Sequence, residues 1–225
     1  MKSAQPETNQ SGQTMGSKGL RTRRKLIDTT VALLESTTIR ELKVVDIAQA
    51  AATSAATFYV YFDNVIDVVL AATEELSQST PELVAIVNDA WDDCNSLERA
   101  SAFVKAYVAF WDRHRPLMRT RNLAAEEGDM RFTATRELSI RPLMAAMVKK
   151  IDQSQREGRI HSAIFPYASA GTLLMMLERL GALAHIYDGE TVSFAQMETA
   201  AAYMVAATFG WPVRDTTQQP ANAQA

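Results

Sequence analysis

The sequence predicts an all-helical fold with a small N-terminal part of three helices and a larger helical part after it. Apolar residues recur every three to four positions through most of the 225 residues, and no useful stretch alternates with the period of two that marks a strand. Glycine, proline and serine separate the periodic segments. The composition, 47% hydrophobic and 22% charged, is that of an ordinary globular protein and excludes a wholly disordered chain.

Few residues are available for disulfides, metal binding or membrane insertion. Cys94 is a lone cysteine, and only three histidines are present, so we expect neither an intrachain disulfide nor a metal site. The first 19 residues contain no apolar segment of the kind that a signal peptide needs. The longest apolar stretch, 167–187, carries Glu178 and Arg179 at its centre. We therefore predict a cytoplasmic protein without a membrane span.

Charge is distributed unevenly along the chain. Residues 1–43 contain eight lysines and arginines against four acidic residues, whereas residues 44–98 contain ten acidic residues and no lysine or arginine. The net charge of −3 conceals this difference. The pattern indicates a basic arm that can meet a polyanion, attached to a body that does not attract one non-specifically.

The chain is predicted to have two polar tails, 1–17 and 213–225. Three helices are predicted directly after the first tail. The first helix, 19–36, starts with four basic residues, which oppose the helix dipole and so indicate another use for them. Two further helices, 44–51 and 55–62, are separated by about three residues. This arrangement is a candidate helix-turn-helix.

Seven further helices follow and form the predicted larger body. Their apolar periodicity and their punctuation by Ser96, Pro116, Gly128, Gly158, Pro166, Gly189 and Gly210 place them as follows. The predicted ranges are 64–79, 81–93, 96–113, 116–127, 130–157, 166–187 and 193–210.

The segment 45–62, VDIAQAAATSAATFYVYF, resembles the helix-turn-helix sequence of the TetR family of bacterial transcriptional regulators, approximately DIAxxAGVSxGTLYxHF. The resemblance implies a DNA-binding domain over residues 18–64 and an effector-binding and dimerisation domain over residues 65–212. It also implies that the protein is a repressor that binds a double-stranded operator as a homodimer and is released by a small molecule.

The third helix is the predicted recognition helix. A helix that enters the major groove needs small or polar side chains at its leading edge, and hydroxyl groups there can bond to phosphates or base edges. Phe58 and Phe62 are predicted to be core residues, whereas Tyr59 is predicted to face the DNA. The predicted DNA-binding residues are Arg21, Arg23, Arg24, Lys43, Ser54, Ala55, Ala56, Thr57, Tyr59 and Tyr61.

Four positions depart from the family pattern. Ala52 and Ala56 replace glycines, and an alanine in the turn requires either a negative φ or a small strain. Val65 replaces a basic residue that clamps a phosphate. Lys43 replaces the serine or threonine that caps the second helix, so either this cap is lost or Lys43 itself reaches a phosphate or base edge.

Aromatic and methionine side chains of the larger body are the candidate effector-binding residues. In the helix 96–113 four aromatic residues recur on one face, a pattern that fits either a packed core or the lining of a ligand cavity. Glu178, beside Arg179 in an apolar helix, is either part of a structural ion pair or surface dyad, or a polar anchor for a mostly apolar ligand. The predicted ligand-binding residues are Phe103, Tyr107, Phe110, Trp111, Met144, Met147, Met175 and Glu178.

The helices 166–187 and 193–210 are apolar on more than one side and rich in alanine. A helix that is apolar nearly all round must be buried on two faces, and we expect a homodimer interface to supply the second face. The resemblance implies an interface at the same place.

Two other classes of function compete with a ligand-released regulator. An enzyme would need a nucleophile with its base, or a set of metal ligands, and the three histidines lie far apart with no such spacing. We therefore predict no catalytic residues and no cofactor. A helical adaptor that binds only protein, without DNA binding, is the alternative, but it leaves the basic arm and the motif 57–59 without a role.

Overall fold

The structure, a computed structural model, consists of α-helices and describes residues 10–76, 80–187, 189 and 191–211. No β-strand occurs in these ranges, so the predicted all-helical fold is confirmed. The helices α1 to α10 span Ser17–Leu33, Val44–Ala50, Ala55–Tyr59, Val65–Glu75, Pro81–Asn88, Ser96–Arg113, Arg115–Glu126, Met130–Arg156, Pro166–Leu183 and Phe194–Thr208.

Several predicted helices prove too long at their C-terminal ends. α5 ends at Asn88 rather than at residue 93, because Asp92 Oδ1 accepts hydrogen bonds from the backbone N–H groups of Cys94 (2.8 Å) and Asn95 (2.9 Å). Such a side-chain turn competes with helical hydrogen bonding. α1, α3, α4 and α9 likewise end three or four residues before their predicted ends. The predicted end of α4, 77–79, lies outside the described residues.

The long helix α8 continues through Pro142, as predicted. A proline inside a helix removes one backbone hydrogen bond, and here the surrounding 27-residue helix persists on both sides. α10 ends at Thr208, and two residues later Gly210 has a left-handed φ of +81°. A Cβ on Gly210 would lie 2.8 Å from the Cβ of Ser154, so this position requires glycine for space as well as for conformation.

The chain divides into two compact units, and the first combines the described residues of Met1–Ser79 and His114–Ile140. Its core consists of apolar side chains from α1 to α4 and α7, with Leu26, Ile47, Phe58 and Val68 fully buried. Thr30 is also buried, and its hydroxyl donates to the Leu26 carbonyl oxygen at 2.8 Å.

The second unit combines Thr80–Arg113 with the described residues of Arg141–Ala225. In this unit α6 packs against α5, α9 and α10. Phe103, Val104, Leu177, Val205 and Phe209 are fully buried there. The boundary between the two functional domains, predicted from the sequence between residues 64 and 65, does not coincide with the boundaries of these two compact units. It stays a prediction.

The predicted tails, 1–17 and 213–225, lie largely outside the described residues. Within the described part of the first tail, the backbone N–H of Gln10 donates to the carbonyl oxygen of Val60 at 3.1 Å. This bond places the chain before α1 beside the end of α3.

Among the described residues no single helix has both the length and the apolar character of a membrane span. One bent pair of helices, Ala55–Tyr61 with Val65–Glu75, has the length and apolar composition of a membrane span when the two helices are counted together.

Candidate functional site

The turn between α2 and α3 holds an alanine in the left-handed region of the backbone. Ala52 has a φ of +50°, and Thr53 N–H donates to the Ala48 carbonyl oxygen at 2.9 Å. For a residue with a Cβ this conformation costs about 1–2 kcal/mol. Of the two conformations left open by the sequence, the structure has the strained one.

Two hydroxyl groups hold the start of α3. Ser54 Oγ accepts a hydrogen bond from the Thr57 backbone N–H at 3.1 Å, as expected of an N-cap. The hydroxyls of Ser54 and Thr57 also lie within hydrogen-bond distance of each other, at 3.0 Å. Both side chains thus stabilise the helix that presents them.

α3 has one buried face and one exposed face. Phe58 and Phe62 are buried with their ring centroids 5.6 Å apart, so the predicted core role of these two residues is confirmed. Tyr59 is 53% exposed, and its ring meets that of Phe58 edge-on. Ala56 is exposed beside it. The exposed surface of α3 therefore combines a small apolar group with a phenol.

The predicted basic residues differ in their surroundings. Arg24 contacts two carboxylates, with Nε 2.8 Å from Asp28 Oδ1 and Nη1 2.6 Å from Glu75 Oε2. The Asp28 hydrogen bond, together with Glu75, raises the pKa of Arg24. Arg40 lies 2.6 Å from Glu127 in the same way. Both charges are already balanced within the first unit.

Arg21 and Arg23 lie near the start of α1, which borders the end of α3. Arg23 places its guanidinium carbon 5.4 Å from the centroid of the Phe62 ring. A Cβ on Gly19 would lie 3.6 Å from the hydroxyl oxygen of Tyr61. Arg21 is exposed. The beginning of α1 and the end of α3 therefore form one continuous surface.

Lys43 and Val65, which depart from the family pattern, lie at the starts of α2 and α4. Asp46 Oδ2 accepts from the Lys43 backbone N–H at 3.2 Å, which satisfies one helix-end donor. An ammonium group has no acceptor, so the lysine side chain cannot cap α2 in return. Val65 begins α4, and the Asn64 side chain caps this helix by accepting from the Asp67 N–H at 3.1 Å.

The aromatic residues of α6 are buried in the second unit. Phe103, Tyr107, Phe110 and Trp111 all belong to its core, and neighbouring rings lie 6.4 Å and 6.3 Å apart between centroids. The buried indole N–H of Trp111 has no hydrogen-bond acceptor among the described residues. Leaving a buried donor without an acceptor costs about 1–3 kcal/mol. A ligand that offers an acceptor to this N–H would recover that free energy on binding.

The other predicted ligand-binding residues do not all face the interior. Met147 is buried and Met144 is half-buried. Met175 is 61% exposed, so its predicted place in an internal pocket is wrong for the single chain. The reason is that α9 carries apolar residues on its outer side as well. Glu178 is buried and its neighbour Arg179 is exposed, so the two do not form a surface dyad.

Large apolar side chains are exposed on α9, on α10 and at the ends of these helices. Contiguous exposed apolar patches are typical of interaction surfaces. The exposed residues are Phe165, Tyr167, Met175, Ile186, Tyr203 and Met204.

Two residues that shape these regions were absent from the predicted set. Glu75 binds Arg24 from 51 positions away, which no local pattern indicates. Gly181 lies against Trp111, where a Cβ would come within 2.6 Å of Cγ. A glycine inside an otherwise apolar helix was the available signal for this close approach.

Comparisons with known proteins agree on the fold. A family described as "Tetracyclin repressor-like, C-terminal domain" matches residues 81–212. FadR, the fatty acid degradation regulator of Bacillus halodurans, is 15% identical, with 88% of this chain and 96% of that chain covered and a TM-score of 0.61. FadR of Bacillus subtilis, in complex with stearoyl-CoA, is 11% identical, with 82% and 98% covered and a TM-score of 0.65.

SmeT, the repressor of the Stenotrophomonas maltophilia multidrug efflux pump SmeDEF, is 15% identical, with 90% of this chain and 96% of that chain covered and a TM-score of 0.60. At these identities the likeness concerns the fold. No curated protein matches the sequence.

Proposed function

The chain belongs to the tetracycline repressor-like family of transcriptional regulators, and from that premise we propose that it binds an operator in double-stranded DNA as a homodimer and represses transcription. A mostly apolar small molecule then releases it. The observation that carries the proposal is the exposed face of α3, which presents Ala56 and Tyr59 on a buried base of Phe58 and Phe62.

α3 is proposed to lie in the major groove. This groove is about 12 Å wide and displays thymine methyl groups beside hydrogen-bonding base edges. The methyl group of Ala56 suits a thymine methyl, and the phenol of Tyr59 suits a base edge or a phosphate. The remaining residues proposed to contact DNA from α3 and its ends are Ser54, Ala55, Thr57 and Tyr61.

Phosphate contacts are proposed to come from the exposed start of α1 and from Lys43. The start of α1 borders the end of α3, and Lys43 precedes α2, whereas α2 to α5 contribute no lysine or arginine. Arg24 is a weaker candidate than the sequence indicates, because Asp28 and Glu75 already neutralise it.

Arg21→Ala is expected to flatten the dependence of log K on log salt concentration by about 0.9 per protomer, because each neutralised phosphate contributes about that slope. Arg24→Ala is the matched control and should change the slope less. Tyr59→Ala, which removes no charge, should weaken binding by about 1–3 kcal/mol and leave the slope unchanged. Fluorescence anisotropy with labelled DNA from the region flanking the gene, at several salt concentrations, measures all three.

Two results would count against this assignment. Equal slopes for the wild type and Arg21→Ala would mean that the start of α1 holds no phosphate. Failure of the wild-type protein to bind any flanking fragment would contradict DNA binding and favour the protein-binding adaptor.

The effector is proposed to bind among the buried rings of α6, with Met144 and Met147 beside them. Support comes from the unsatisfied indole N–H of Trp111, which would bond to an acceptor on the ligand. FadR of Bacillus subtilis, a structural neighbour, is in complex with stearoyl-CoA, whose stearoyl chain is apolar. Glu178 is a second polar group for such a ligand, in addition to Trp111.

Mass spectrometry of small molecules extracted from the purified protein should identify an apolar or aromatic compound. Adding that compound should raise the melting temperature and weaken operator binding by about 1–3 kcal/mol, the usual size of coupling between two sites. Trp111→Phe, which removes the N–H donor, should keep operator binding but respond less to the compound. If no apolar compound changes operator affinity or melting temperature, the effector proposal fails.

The homodimer is proposed to form through α9 and α10. Their exposed tyrosine and methionine side chains would otherwise remain in contact with water. Two copies of the same face can cover each other in an isologous interface.

A further inference from the structure

A cleft in the second unit lies apart from the residues proposed to bind the effector. It has a volume of about 400 Å³ and lies between the end of α5, the second half of α8 and the segment after α10. Its lining includes two tryptophans, three cationic side chains and one carboxylate: Trp91, Trp211, Lys149, Lys150, Arg159 and Asp89. Neither the basic arm nor the aromatic face of α6 contributes to it.

Each of two cations in the cleft lies over an indole ring. Lys150 Nζ is 4.8 Å from the centroid of the Trp91 ring, and Nζ donates to the Asp89 carbonyl oxygen at 2.9 Å. The guanidinium carbon of Arg159 is 4.1 Å from the centroid of the Trp211 ring. These contacts hold both cations in fixed positions at the wall of the cleft.

Arg159 is held by two further contacts. Its Nη2 donates to Ser154 Oγ at 3.0 Å, and Ser154 in turn donates to the Phe209 carbonyl oxygen at 2.6 Å. Its Nη1 is paired with Glu157. A guanidinium has five N–H donors, so these partners leave donors that an incoming anion can use.

The charge around Lys150 is predominantly positive. Burial, together with the nearby Arg159 and Arg99, lowers the pKa of Lys150 to about 8, against an opposing effect of Asp89. Arg99 also lies 2.5 Å from Asp89, which reduces the influence of that carboxylate on the cleft. Lys149 adds another positive charge to the lining. The half-buried ammonium of Lys150 would therefore be stabilised by a bound anion.

Trp211 contributes an additional donor. Its indole N–H is buried and has no hydrogen-bond acceptor in the described part of the chain. The cleft thus combines cations, indole side chains and a donor without an acceptor among the described residues. These features suit a ligand that carries an acid group on an aromatic ring.

We propose that this cleft binds a small aromatic acid, with the carboxylate or phosphate group between Lys150 and Arg159 and the ring beside Trp211. This site is separate from the proposed effector site, so the protein would carry a second ligand. Binding at the cleft does not depend on the protein being a DNA-binding repressor.

Isothermal titration calorimetry with phenyl phosphate and with benzoate tests the proposal on the full chain. We expect saturable binding of at least one of the two acids near neutral pH, and the comparison distinguishes a phosphate from a carboxylate. Phenol, which has the ring without the acid group, and inorganic phosphate, which has the charge without the ring, should each bind more weakly. Binding of phenol as tight as that of both acids, or failure of both acids to bind at millimolar concentration, would overturn the proposal.

Lys150→Met should weaken binding of the acid by about tenfold or more, the usual effect of losing a charge-assisted hydrogen bond. Arg159→Gln should have a similar effect. Lys105→Met, at an exposed lysine of α6 outside the cleft, is the matched control and should bind as the wild type does. Unchanged affinity in both cleft variants would contradict the assignment of the acid group.

The pH dependence of the wild-type protein provides a test that needs no variant. Lys150 loses its positive charge as the pH rises through its pKa of about 8, whereas Arg159 and benzoate stay charged. Benzoate affinity should therefore fall by about tenfold from neutral to distinctly alkaline pH, as for the loss of one charged contact. Constant benzoate affinity over that range, with phenyl phosphate equally insensitive, would show that Lys150 does not hold the anion.

Discussion

Met204→Glu is expected to convert a dimer of the 24.8-kDa chain into monomers at low micromolar concentration. Met204 lies on α10 with 55% of its surface exposed in the single chain, within the apolar face proposed to contact a second copy. Burying an unpaired carboxylate there costs several kcal/mol per ion, and an isologous interface contains the change twice. The effect should exceed that of any single surface substitution elsewhere.

Met130→Glu provides the matched control for this experiment. Met130 is 71% exposed at the start of α8, outside α9 and α10. Light scattering coupled to size-exclusion chromatography gives the mass of both variants. A wild-type protein that is already monomeric, or a Met204→Glu protein that stays dimeric, would contradict the proposed interface.

Gly181→Ala should destabilise the protein by about 1–3 kcal/mol, the usual cost of overpacking a core. The added Cβ would lie 2.6 Å from Cγ and 2.7 Å from Cβ of Trp111. These atoms are close to the backbone of α6, so they cannot move aside as the end of a flexible side chain can. The clash should outweigh the gain of about 0.5–1 kcal/mol that alanine normally brings inside a helix.

Gly171→Ala should have the opposite sign. Gly171 lies in the same helix, and its added Cβ would meet only Met144 Cε, at an ordinary contact distance of 3.8 Å. The helix propensity of alanine should then raise stability by about 0.5–1 kcal/mol. Thermal unfolding distinguishes the two, since 1 kcal/mol shifts the melting temperature of a protein of this size by about 2–4 °C. A Gly181→Ala protein that is as stable as the wild type, or more stable, would show that the approach of Trp111 to α9 does not limit stability.

Helices were predictable from the sequence because their determinants are local. The apolar period of α6 and the proline after it predicted Ser96–Arg113 with both ends correct. The C-terminal end of α5 was not predictable in the same way, since the turn made by Asp92 competes with a helical pattern that continues beyond Asn88.

The candidate DNA-binding surface was predictable in part. Spacing within α3 distinguished the buried Phe58 from the exposed Tyr59. Spacing within α1 places Asp28 beside Arg24 at i+4, but it did not show the second carboxylate, Glu75, which belongs to another helix. The exposure of Met175 in the second unit was not predictable either. An apolar residue on a helix that is apolar on several sides can face either the core or a partner.

By itself, the sequence determined the helical class of this protein, the position of its helix-turn-helix and the family to which it belongs. These properties depend on residues within a few positions of one another, as in the segment 45–62. Only the tertiary structure decided that Arg24 is neutralised from α4 and that Lys150 shares a cleft with Trp91 and Trp211. The reason is that the charge and hydration of a side chain are set by groups that folding brings beside it, and sequence separation does not record those distances.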